Sequence, residues 1–247
     1  MDLPRHHTVR EGDQRIVNPF DADKLALLGR AIKLRAGDTL LDLASGRGEL
    51  LCTWARDHDI RGTGVDISTV AVDMSRRRAV ELGVENRVDF VHGDAGKHVA
   101  AEPVDVGACI GATWIGAGVD GTVELLERSL RPGGMLLIGE PYWRLDPPDD
   151  DTVKACGVGR KEDYDDLPGL LRRFQRLGWD VVEWVLADPD SWDRYAAAHW
   201  LTIRRWLDEH PDDELAGAFR AELTEDPLHH VRRREFLGWG VFALLKR

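Results

Sequence analysis
Three carboxylates and two glycines carry the first chemical signal in this sequence. Asp42 lies in LLDLASGRGELL (40–51), four residues before Gly46, and Gly48 follows after one intervening residue. Asp66 in GTGVDIS (62–68) and Asp94 in VHGDA (91–95) each close a further apolar run. An apolar run that meets an acid and a glycine bend before a second apolar run marks a strand giving way to a helix. There Gly46 and Gly48 permit positive φ and let a ligand approach the backbone, and the next helix offers free N–H groups at its start. A carboxylate at the second strand tip can accept two hydrogen bonds from ribose hydroxyls. One at the third tip can accept from an adenine amino group.

Two ligands fit such a series: a dinucleotide and S-adenosylmethionine. The dinucleotide fingerprint needs a third small residue, where this chain has Leu51. A pyrophosphate also calls for no acid on the preceding strand, whereas Asp42 suits the ammonium of an amino-acid end. Taken singly, Asp66 and Asp94 read equally well as caps of the helices that follow them.

Further along, GATW (111–114) and GEPYW (139–143) bring Thr113, Trp114, Glu140, Tyr142 and Trp143 to two strand tips. Their rings would suit a flat or cationic substrate, or would seat a neighbouring insertion on the sheet. Glu140 lies in an apolar run where an unpaired carboxylate is costly, so it pairs with a cation or faces a polar pocket. It is a candidate base or charge partner. In SWDRYAAAHWLTIRRWLDEH (191–210), Trp192, Tyr195, His199, Thr202 and Trp206 recur at steps of three and four and share one helix face. That face is either an aromatic stripe packed on the core or a substrate cap with His199 as base or hydrogen-bond donor near neutral pH.

The elements that would position these residues alternate. A helix begins after Asp21, with Leu25, Leu28 and Ile32 at helical spacing. TLLDLA is a strand, followed by a helix from about Glu49 to His58. RGTGVDIS is a second strand, with a helix from about Val70 to Leu82. RVDFVHGDA and VDVGACIGA are the third and fourth strands, with a helix from about Gly121 to Leu130. RPGG reads as a turn before a fifth strand, MLLIGEPYW. RLDPPDDD (144–151) is a loop. A helix near Leu167–Leu177, the strand WDVVEWVLA, a helical insertion and a last strand, FLGWGVFALLKR, complete the chain. Strands alternating with helices predict a doubly wound, Rossmann-like α/β fold. Its seven-stranded, mostly parallel sheet would carry a helical cap inserted before the last strand. The expected layout is one domain: an N-terminal arm and helix (1–34), a core (35–187), a cap (188–228) and a returning strand (229–247). The polar residues 1–17, with His6 and His7, read as a flexible arm rather than a lid.

A net charge of −11 lowers the prospect of a nucleic-acid partner, and the RRR runs at 76–78 and 232–234 read as solvated faces. Cys52, Cys109 and Cys156 are far apart and form no CxxC pair, so neither a disulfide framework nor a metal site is expected. No stretch reads as a signal peptide or a membrane span, which predicts a cytoplasmic protein without a membrane partner. Nothing in the sequence fixes an oligomeric state.

Taken in order, LLDLASGRGE, GTGVDIS, VHGDA and VDVGACIGATW resemble the cofactor motifs of class I S-adenosylmethionine-dependent methyltransferases. With GEPYW and the long insertion before GWGVFALLKR, the chain resembles a little-characterised bacterial group of small-molecule type over nearly its whole length. The resemblance implies S-adenosylmethionine as cofactor. Asp42, Ala44, Ser45, Gly46 and Gly48 would hold its methionine end, Asp66 its ribose, and Ile67, Asp94 and Ala95 its adenine. Gly111 and Ala112 would border the sulfonium. Thr113, Trp114, Tyr142, Trp143 and Tyr195 are the substrate-pocket candidates, with Glu140 and His199 as candidate catalytic residues. The NPPY and DPPY motifs of base and glutamine methylation are absent. The expected reaction is methyl transfer to a small organic molecule. The alternatives are an NAD-type oxidoreductase, weakened by Leu51 and the lack of a Tyr-x-x-x-Lys pair, and a non-catalytic cofactor-binding module.

Overall fold
The computed structural model describes residues 4–247. Its strands are β1 (Thr39–Leu43), β2 (Arg61–Asp66), β3 (Val88–His92), β4 (Val104–Ile110), β5 (Leu130–Trp143), β6 (Trp179–Leu186) and β7 (Leu237–Lys246). They form one sheet in the order β3-β2-β1-β4-β5-β7-β6. β3, β2, β1, β4 and β5 run parallel, and β7 enters antiparallel between β5 and β6. The helices are α1 (Arg5–Glu11), α2 (Ala22–Ala31), α3 (Glu49–His58), α4 (Thr69–Leu82), α5 (Val119–Glu127), α6 (Asp150–Ala155), α7 (Leu167–Arg176), α8 (Pro189–Glu209) and α9 (Ala216–Phe236).

Strand residues alternate between two cores, as a sheet covered on both faces requires. Leu40, Val106, Leu137 and Val241 pack with Leu28 of α2, Leu51 and Trp54 of α3 and Val72 of α4. Leu41, Leu43, Cys109, Ile138 and Phe242 pack with Val123 of α5 and Phe174 of α7. The order of β1, β2 and β4 puts a switch point beside β1, because β2 and β4 lie on opposite sides of it. Ligands of open α/β sheets sit at the carboxyl ends of such strands.

Three expectations are corrected. Residues 5–11 are not a bare arm: they form α1, which docks on the cap through Arg5–Asp213 (2.7 Å) and Arg10–Glu222 (2.8 Å). Residues 131–134 of RPGG are not a turn between elements. They bulge inside β5, whose pairing with β4 steps from Val104↔Leu130 to Val106↔Met135. The helical cap does not end at 228. α9 runs through Pro227 to Phe236, held to α8 by Trp200–Asp226 and His230–Asp193 bonds of 2.8 Å each.

Candidate active site
A cavity of about 220 Å³ opens at the carboxyl ends of β1, β2 and β4. Its floor is made by Asp42, Ala44, Ser45 and Gly46, its flank by Asp66, Ser68, Val70 and Ala71, and its far wall by Ile110, Gly111, Ala112 and Trp114. Its roof is the segment from Thr8 to Phe20.

The floor is a strained loop. Ala44, Gly46 and Gly48 all have positive φ (58°, 54° and 70°). Ala44 holds the left-handed conformation despite its side chain, a strain that the surrounding structure must hold in place. A Cβ on Gly46 would meet nothing within 4 Å, so that backbone is bare toward the cavity. Gly48 is required by packing as well as by φ, because a Cβ there would lie 2.6 Å from the Phe90 ring. It is also the residue from which α3 starts.

Two polar groups in the floor lack partners. The Asp42 carboxylate is buried, and among the described residues nothing donates to it. Loss of solvent, with the Asp66 charge nearby, pushes its pKa up to about 8. The buried Ser45 hydroxyl likewise has no hydrogen-bond partner. Asp66 differs: its two carboxylate oxygens accept from the Gly46 amide (2.8 Å) and the Ser68 amide (2.9 Å), tying the β1 loop to the β2 tip. Burial still raises its pKa against the amide donors of Ser68, Gly46 and Ile67, and the carboxylate keeps acceptor capacity for a ligand hydroxyl. The cap of α4 is Ser68, not Asp66. An unpaired acid, a spare hydroxyl and a bare glycine backbone fit a ligand with an ammonium, hydroxyls and a close approach to the chain.

Not every candidate reaches this cavity. Asp94 lies outside its lining, half-exposed, where it caps a short turn through the Gly96 amide (3.0 Å) and pairs with Lys97 (2.9 Å). That is the capping alternative for Asp94. Ile67, Ala95 and Gly48 are also outside the lining. Thr113 is buried and donates to Glu140 (2.8 Å), whose pKa burial lifts to about 7 while Thr113 and Arg173 oppose the rise. Trp143 donates to the Lys161 carbonyl (2.8 Å), and Tyr142 packs edge-on against Phe242. His199 is buried beside Tyr195, ring centres 4.5 Å apart, and burial holds its pKa down at about 3. Neither Glu140 nor His199 lines the cavity. The Tyr195 hydroxyl reaches the Val17 carbonyl (3.5 Å) and so braces the roof from behind. Of the aromatic candidates only Trp114 lines the cavity, at its mouth, 73% exposed.

Spacing does not single out the roof residues Glu11, Arg15, Val17, Asn18 and Phe20, which share no helical or strand period, although their place over the cavity matches the lid alternative for the N-terminal segment. Arg15 is paired with Glu81 (3.0 Å), so no free cation is offered from that position. Three arginines of the basic runs are likewise engaged, Arg78 with Glu49, Arg233 with Asp226 and Arg234 with Asp193, while Arg77 and Arg232 are exposed. All three cysteines are free and buried, and burial lifts the Cys52 thiol to about 12 and Cys156 to about 11. Among the described residues no group of His, Cys, Asp and Glu is arranged to hold a metal ion. No helix among them is long and apolar enough to cross a membrane.

A ligand cavity at the carboxyl ends of β1, β2 and β4, with one acid per strand on β1 and β2, defines a Rossmann-like nucleoside-cofactor protein. Residues 40–134 match the family model described as a methyltransferase domain. The Escherichia coli K12 protein YjhP is 54% identical over the full length of both chains. A solved S-adenosylmethionine-dependent methyltransferase from Geobacter sulfurreducens, in complex with S-adenosylhomocysteine, is 56% identical. The match covers 100% of this chain and 99% of that one, with a TM-score of 0.98. The 27-O-demethylrifamycin SV methyltransferase of Amycolatopsis mediterranei is 32% identical over 83% of this chain and 79% of its own length. The chain belongs to the class I S-adenosylmethionine-dependent methyltransferases.

Proposed function
We propose that this chain transfers the methyl group of S-adenosylmethionine to a small, neutral and largely apolar organic molecule by in-line displacement. When bound, S-adenosylmethionine supplies a methyl group already activated on a cationic sulfur. Asp42 would take its ammonium, with Ser45 and the Gly46 backbone beside the methionine end. Asp66 would accept from the ribose hydroxyls. Ser68, Val70, Ala71 and Trp114 would border the adenine, with Ile67, Asp94 and Ala95 behind them at the rim. Gly111 and Ala112 would flank the reacting centre.

The observation that carries the acceptor class is the roof. Residues 8–20 close the cavity over an apolar lining of Ile16, Val17, Phe20, Leu25, Leu50 and Ile110. Arg15 and Arg47 on that lining are already paired, which disfavours an anionic acceptor. A roofed cavity and a charge of −11 also disfavour a nucleic acid. The relative named as a 27-O-demethylrifamycin SV methyltransferase supports an organic molecule rather than a macromolecule as acceptor. Holding acceptor and donor in line and excluding water then accounts for most of the rate. Glu140 and His199 lie outside the cavity lining and take no part in the transfer on this reading, and a general base is needed only for an acceptor that arrives with a high pKa.

Incubation with methyl-labelled S-adenosylmethionine and metabolite, oligonucleotide and protein fractions tests this reading. Label should appear in a compound from the metabolite fraction. Label confined to nucleic acid or protein would refute it.

A further inference from the structure
We propose that residues 5–18 are a gate over this cavity and that Arg47, on the glycine loop itself, is its latch. Cofactor then enters and leaves only when the latch opens. The proposal rests on the assignment of the cavity to S-adenosylmethionine.

Arg47 stands between the two glycines of the loop, yet its side chain points into the roof rather than to solvent. It is 5% exposed. Its guanidinium donates to the Glu11 carboxylate (3.3 Å), the Glu11 carbonyl (3.5 Å) and the Gln14 carbonyl. Both Glu11 and Arg47 line the cavity. The loop under the ligand thus also holds the lid above it.

A second strap holds the outer side of the gate. Arg5 pairs with Asp213, His6 with Glu222 (3.1 Å), and the His6 ring stacks on Phe219 at 4.9 Å. Arg5 lies outside the cavity lining. The two straps differ in strength. Charge-assisted bonds to a desolvated guanidinium are worth more than exposed ion pairs. Opening must rehydrate Arg47 before its partners separate, because a buried cation left unpaired is costly. Gly12, with φ +51°, ends α1 within the Arg47 latch, between Glu11 and Gln14, and a Cβ there would lie 2.4 Å from Thr202. The chain therefore turns at that point while packed closely on α8.

Stopped-flow binding of S-adenosylhomocysteine, followed by tryptophan fluorescence, tests the gate on the full chain. The variants are Arg47→Met, Glu11→Gln and Arg5→Ala. A gate must open for passage in both directions, so association and dissociation rates should rise together while Kd changes less than either. The rise should be about tenfold or more for Arg47→Met, and about twofold to fivefold for Arg5→Ala, which touches no ligand. Amide hydrogen exchange of residues 5–14 in the unliganded protein should speed up in all three. Two results would overturn the gate: rates unchanged in all variants, or dissociation alone faster in Arg47→Met. If Arg47→Met does not fold, Glu11→Gln and Arg5→Ala decide. A wild-type protein that does not bind S-adenosylhomocysteine refutes the cofactor assignment instead, and hydrogen exchange then decides whether Arg47 holds the segment closed.

Discussion

Replacing Asp42 with Asn should make the unliganded protein more stable and its cofactor binding weaker. Asp42 is 3% exposed, unpaired, and carries a pKa near 8 against an ordinary 3.8. The folded protein holds this proton up to about pH 8, while the unfolded chain loses it near 3.8. Stability therefore falls as pH rises through that window. At pH 7 the group lies about three units above its unfolded pKa, which at about 1.4 kcal/mol per unit sets a ceiling of about 4 kcal/mol. The Asn amide brings donors that themselves need partners, so a gain of about 1–3 kcal/mol is expected. Urea unfolding at pH 5, 7 and 8 reads it: the two proteins should converge at pH 5 and separate above it. Calorimetry with S-adenosylhomocysteine reads the other half. Wild-type binding should release a proton and tighten about fivefold from pH 7 to 8, since an ammonium favours the ionised carboxylate. Asp42→Asn should lose about tenfold or more in affinity and show no such pH dependence. A variant less stable than wild type at pH 7, with unchanged affinity, would refute the reasoning.

Gly48→Ala combines a φ of +70° with a Cβ 2.6 Å from Phe90, and should cost about 2–4 kcal/mol in urea unfolding. Glu140→Gln should raise stability at pH 8 by up to about 3 kcal/mol and little at pH 5. The folded pKa near 7 stands above 4.5, so wild-type stability is lost as pH rises between them. Its affinity for S-adenosylhomocysteine should match wild type, because Glu140 lies outside the cavity lining. The three buried thiols should resist Ellman's reagent in the native protein and react together on unfolding.

Local patterns carried most of the sheet. The acid–glycine bend placed the β1–α3 junction, and α3 spans Glu49–His58 as its apolar spacing indicates. Leu51, the residue that breaks the dinucleotide fingerprint, lies on the core side of that helix and is fully buried. Long-range pairing was not legible. α1 buries no residue of its own and is held by ion pairs to residues about 200 positions away, which no spacing reveals. Glu140 announced a costly carboxylate, but its hydrogen-bond donor, Thr113, is 27 residues distant, and Glu140 lies outside the cavity lining. His199 sat on a legible helix face, which is buried against its neighbours and outside the cavity lining. The expected cap boundary at 228 falls inside α9, which bonds from Asp226 and His230 to α8 carry through Pro227 to Phe236.

The most direct measurement is a crystal structure of this chain grown with S-adenosylhomocysteine. The ligand should lie under residues 8–20, with its ammonium against Asp42, its ribose on Asp66 and its thioether beside Gly111. A ligand seated away from Asp42 and Asp66, or bound on an open surface with the roof unchanged beside it, would contradict the account.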